Sequence, residues 1–298
     1  MKTKTILAII TALCVAATIG VIHVQSEEAS PPSEGASDQQ PPQKPTLISP
    51  ALLGNNAVID AVAEPREKAE AIRVALQWLV SRQQKNGGWG PGHVAAGVEE
   101  RTTVGNTCIA LQALAWDGNS PTSGPYQSET AEAIQYVLAA IEESDATSLF
   151  VSPIRDSQLQ RKLGVYVDTF IAASVLPEFK GKMGSGKEEK KLHEGVAKLL
   201  AKIEAHQSED GSWKDTGWAP TLSQGFAGKS INRAAQKGWQ VDEKVRERAE
   251  EFAQKNFDHA SGTFSREGSA GIALYSSSSN LQQIQESAIT NRQLVKEL

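Results

Sequence analysis

Apolar side chains recur at three- and four-residue spacing in blocks that each run into polar residues, a glycine and an aromatic, a pattern that predicts helices ended by tight turns. Ala71, Ile72, Val74, Ala75, Leu76, Trp78, Leu79 and Val80 form one such face, and Gln83, Gly87 and Trp89 follow it. The second block is Val196, Leu199, Leu200 and Ile203, closed by His206, Gln207, Asp210, Gly211 and Trp213. A third, weaker copy has Val245, Ala249, Phe252 and Ala253, and ends through Asp258, Gly262 and Phe264. Physically, the glycine takes a positive φ to leave the helix, the aromatic folds back over the last turn, and the glutamine can cap carbonyls there.

Each turn leads into a segment rich in small residues. Thr103–Leu111, Val165–Ala173 and Thr221–Gly228 align without gaps, and Ser269–Leu274 begins a fourth. Alanine and glycine permit close approach, which marks these helices as an inner layer. Between the first two turns there is room for two units. The middle one fits Ser128–Glu143, with Ala131, Ile134, Val137, Leu138 and Ile141 as its outer face, although its turn, Ser144–Phe150, lacks glycine and tryptophan. The expected body is therefore all-α, four helix pairs spanning residues 61–298, with a loop at Gly181–Gly186.

Before the body, Lys2 and Lys4 precede the uncharged run Ile6–Val24, which is long enough to cross most of a bilayer core of about 30 Å. Residues 1–26 read as a signal peptide, with a cleavage site after Ser26, or as an uncleaved anchor over 6–24. Either way the body is expected outside the cytoplasm, periplasmic or secreted, and membrane contact is expected only through this segment. Residues 27–60, rich in Pro, Ser and Gln, read as a disordered linker.

Composition narrows the function. Forty per cent of residues are hydrophobic and only 6% aromatic, as suits packed helices, and a net charge of -5 without a basic block argues against nucleic acid. Cys108 is the body's single cysteine, so no disulfide forms there; it reads as a small buried side chain. No CxxC, HExxH or paired-histidine spacing suggests a metal, and no cofactor is expected.

The step Trp78-Leu79, then Gln83, Gly87 and Trp89, resembles the QW motif of squalene and hopene cyclases, and the likeness to prenyltransferase and squalene oxidase repeats covers about residues 66–280. That resemblance implies an α/α-toroid, complete or partial, of inner and outer helices around a cavity. It does not bring the family's chemistry with it: the Asp-x-Asp-Asp acid of class II cyclases, the zinc ligands of protein prenyltransferases and the Gly-Cys-Gly-Glu-Gln thioester motif are all missing.

In the gapless alignment Asn106, Asp168 and Gln224 share one position near the inner-helix N-termini, where they could bind a ligand or cap helices. Asp168 is also the candidate acid or base if a cavity desolvates it. In Asp210–Trp218, acids alternate with aromatics, so Trp218 is a candidate glycan contact, against a plain repeat turn that would also account for Asp210 and Asp215. Trp78, Trp89, Trp213 and Phe264 are expected to glue repeats together. His93 and His206 read as surface or capping residues, and Lys187–Lys191 as a solvated helix start. These residues leave three readings open: a noncatalytic module that binds a protein, apolar or glycan ligand on its inner face and is open to self-association; a terpene-cyclase-type enzyme with a nonstandard acid; and a glycan-active toroid.

Overall fold

The computed structural model describes residues 65–91 and 101–297, and it is all-α apart from one two-stranded hairpin. The helices are α1 (Pro65–Val80), α2 (Val104–Trp116), α3 (Gln127–Glu143), α4 (Gln158–Leu163), α5 (Val167–Val175), α6 (Gly186–Ala205), α7 (Pro220–Gln236), α8 (Glu243–Lys255) and α9 (Ala273–Glu297). A 3-10 turn, Leu176–Phe179, follows α5, and strands β1 (Phe257–Asp258) and β2 (Thr263–Phe264) pair antiparallel. The N-terminal apolar run, the linker and His93 lie outside the described residues. The described residues fall in two compact units that part within α1, one through Ala75 and one from Leu76.

Within the second unit the small-residue helices neighbour one another in chain order, α2 on α5, α5 on α7 and α7 on α9. Side-chain size explains the closeness: a methyl group on Gly225 would overlap Ser279, and one on Gly228 would overlap Gln283. The amphipathic helices cover this row, with α3 on α2, α6 on α5, and α8 on both α7 and α9. Leu111, Leu114, Ile134, Ile141, Phe170, Leu199, Ile203, Trp213 and Ile231 fill the space between the two sets. Cys108 is fully buried here, where desolvation, followed by the charge of Asp168, pushes its thiol pKa well up.

The first two turns match bond for bond. Gln84 N donates to Gly88 O (2.9 Å) and Ser208 N to Ser212 O (2.8 Å), while Gly87 and Gly211 sit at φ +82° and +88°. Trp89 Nε1 donates to Leu79 O and Trp213 Nε1 to Ile203 O, both at 2.8 Å, so each indole caps the helix it follows. Gln83 Nε2 bonds Gly87 O and Glu129 O, both at 2.9 Å; Gln207 Nε2 bonds Gly211 O (3.2 Å) and Val245 O (2.9 Å). Glu129 and Val245 are each the third residue of the next outer helix, so the glutamine clamps its own turn to the following repeat. Both glycines also face a carbonyl three residues further along that helix, Glu132 O and Arg248 O.

The turn after α3 has no such glutamine. There Lys198 Nζ reaches back from α6 to Ile141 O (2.8 Å), Glu142 O (3.1 Å) and Ser144 O (2.6 Å), while Lys202 Nζ bonds Ser148 O (2.6 Å) and Phe150 O (3.1 Å). Two lysines at i and i+4 replace the clamp from the other side of the junction. The third turn is the β1–β2 hairpin. Asp258 stands where glutamine would, and its carboxylate serves its own loop, at Ala260 N (2.9 Å) and Ser261 Oγ (2.7 Å).

Candidate functional site

Asp168 is the second residue of α5 and only 3% exposed. Its Oδ2 accepts from Gln160 Nε2 at 3.0 Å, whereas Oδ1 has no well-formed hydrogen bond although it is pressed against the Gly105 backbone in the first turn of α2. Desolvation raises its pKa to about 6, opposed by the Gln160 bond, the Gly105 amide and the positive charge of Arg155. Leu159 also closes over Gly105, so segment 152–165, which carries α4, lies as a strap across this carboxyl.

A second, half-buried acid pins the strap's far end. Asp215 Oδ1 accepts from Val165 N and Thr216 N, both 2.7 Å, and Oδ2 from Ser223 Oγ at 2.5 Å. Burial raises its pKa, against those hydrogen bonds. Backbone bonds complete the join: Trp218 N to Arg161 O and Ala219 N to Lys162 O, both 2.9 Å. The strap thus meets α2 through Gly105, α5 through Asp168 and α7 through Ser223.

The other candidates separate. Asn106 is half-buried, and its amide N donates to the N-cap Thr103 Oγ1 at 3.2 Å. Gln224 grips the Trp213 backbone, accepting from its N at 2.9 Å and donating to its O. In the first repeat the Trp89 backbone N donates to Thr107 Oγ1 at 3.0 Å, so Gln224 corresponds to Thr107 rather than Asn106. Ser223, one residue earlier, takes the Asp168 position. Trp218 is 49% exposed, edge-on to Tyr275 with ring centroids 5.8 Å apart, and Lys162 Nζ lies 5.1 Å over its ring. Asp210 caps its own turn through Ser212, and His206 is the C-cap residue of α6. A groove of 790 Å³, lined by His193, Glu194, Glu204, Trp239 and Asp242 among others, shares no residue with these sites.

Among the described residues no group of three or more His, Cys, Asp or Glu could hold a metal, and no helix is long and apolar enough to cross a membrane. Compared with known protein families and with curated proteins, the chain matches none.

Because Asp168 titrates higher folded than its ordinary 3.8, folding gains a proton between those values, and stability falls as pH rises from about 4 to 6. Above pH 6 the full cost of about 3 kcal/mol applies. Asp168→Asn keeps an acceptor for Gln160 without the charge. Urea unfolding at pH 4, 5, 6 and 7 is expected to show a flatter stability profile for the variant; parallel profiles would refute the buried-charge account.

Proposed function

We propose that the chain is a noncatalytic α/α-repeat module of partial-toroid type, held outside the cytoplasm by its N-terminal segment, which binds an apolar, glycan or protein ligand on the inner row of helices. What carries the reading is the matching pair of Gln–Gly–Trp turns, each of which clamps the next outer helix at the same register. The polar side chains of the inner row support it too, because Asp168, Gln224 and Ser223 hold strap and turn backbone in place.

One observation favours a second reading, an isoprenoid cyclase with Asp168 as acid: a carboxyl with a pKa near 6 keeps its proton more readily than an ordinary aspartate. It would act only with the strap displaced. Incubation of the purified protein with squalene and with prenyl diphosphates decides between them by product analysis. No product is expected; turnover that disappears in Asp168→Asn overturns the module reading.

A further inference from the structure

Helix α7 carries Leu222, Phe226, Lys229 and Arg233 at three- and four-residue spacing, hence on one stripe. Lys229 is 4% exposed, while Leu222, Phe226 and Arg233 are half-buried. Around it lies an ion network whose carboxylates are already engaged. Glu286 takes Arg233 Nε at 3.2 Å and Gln236 Nε2 at 2.9 Å, and Glu178 takes Lys237 Nζ at 2.7 Å with Arg233 at 4.0 Å. Lys229 makes no hydrogen bond or ion pair among the described residues, although Arg233, Glu286 and Glu178 are all within electrostatic reach. Three cations therefore share two carboxylates, and the Lys229 side chain is buried along its length while its ammonium nitrogen reaches solvent and bonds neither of them.

A cation that is largely desolvated along its stem and has no direct counter-charge favours either loss of the proton or arrival of one negative charge. Burial, with Arg233 adding to it, lowers the Lys229 pKa. We propose that Lys229 is the anchor of a binding site for a monocarboxylate with an apolar body: the carboxylate pairs with the ammonium, and the body lies along Phe226 and Leu222. A single negative charge balances the network, and the half-buried aromatic and leucine on the same stripe supply apolar surface beside it. This site rests on the reading of the inner helices as the ligand-facing row.

Octanoate is the probe, with octanol and octyl phosphate as comparisons, added to the full-length protein and followed by calorimetry. Octanoate is expected to bind, octanol to bind at least about tenfold more weakly, and Lys229→Met to lose at least about tenfold in octanoate affinity, the loss that follows when a charged hydrogen-bond partner is removed. Lysine Cε chemical shifts give a readout that needs no variant: octanoate is expected to raise the Lys229 pKa, because a neighbouring carboxylate favours the ammonium. Absence of octanoate binding, equal affinity in Lys229→Met, an unmoved Lys229 pKa, or tighter binding of octyl phosphate would each overturn the site. None of these results produces isoprenoid turnover, the outcome that would overturn the module reading itself.

Discussion

Gly211→Ala is expected to lower stability by about 3–4 kcal/mol, whereas Gly262→Ala costs only about 1 kcal/mol. Both glycines close a repeat turn with positive φ, +88° and +67°, so an alanine is strained at either. They differ in what lies beyond. A methyl group on Gly211 would run into the Arg248 carbonyl and the Phe252 Cβ of α8, both on a packed helix that cannot yield without shifting. At Gly262 nothing among the described residues lies within 4 Å. The difference therefore isolates the docking of one repeat on the next from the strain of the turn itself. Urea denaturation of the two variants measures it through the midpoint at constant slope; equal losses would show that the Gly211 turn does not seat α8.

Lys202→Met is expected to cost about 2–4 kcal/mol, although it exchanges a charged side chain in a core for an apolar one of similar length. The usual expectation runs the other way, since Lys202 as a residue is only 3% exposed and desolvation lowers its pKa. The carbonyls decide the sign. Ser148 O and Phe150 O take their bonds from this ammonium, and a thioether offers them nothing. Lys190→Met on the same helix, where the side chain is 76% exposed and reaches only Glu194 at 3.7 Å, is expected to change stability by less than about 0.5 kcal/mol. Thermal unfolding of both proteins distinguishes the two positions. A Lys202 variant as stable as the Lys190 variant would mean that the 144–150 turn is held by other contacts, Asp145 with Thr147 and Ser148 foremost.

The helix pattern and both full turns were legible because periodicity and positive-φ glycine are local signals. α3 begins within one residue of its expected start, and Trp89 and Trp213 fold back over the helices they follow. What stayed hidden depends on partners distant in the chain. Lys198 and Lys202 carry no local signal, since a lysine on an amphipathic helix is ordinarily solvated, yet they point at carbonyls more than fifty residues earlier; their place beside Leu199 and Ile203 is the available clue. Helix α4 is too short for apolar periodicity to register, and only its capping box, Ser157 with Gln160, marks it. The gapless alignment of the inner helices ran one residue out at Gln224, because α7 enters through Pro220 whereas α2 starts from a Thr103 cap. Asp168 was legible only as a cap or as an acid or base that a cavity would have to desolvate; its burial was not. Its ties to Gln160 and Gly105 were not, because the strap that supplies Gln160 carries no repeat signature.

That strap changes how the unit comes apart. In a linear array of repeats each one touches only its neighbours, so ends can fray while the middle survives. Here residues 152–165 bond the start of α5 and the loop that leads into α7, and pack Leu159 against the first turn of α2, so α2 cannot release α5 without also loosening the loop that seats α7. Amides of these three helices should consequently exchange with solvent through one shared opening event instead of in a graded series from the ends, and the α2–α5–α7 block behaves as a single cooperative foldon.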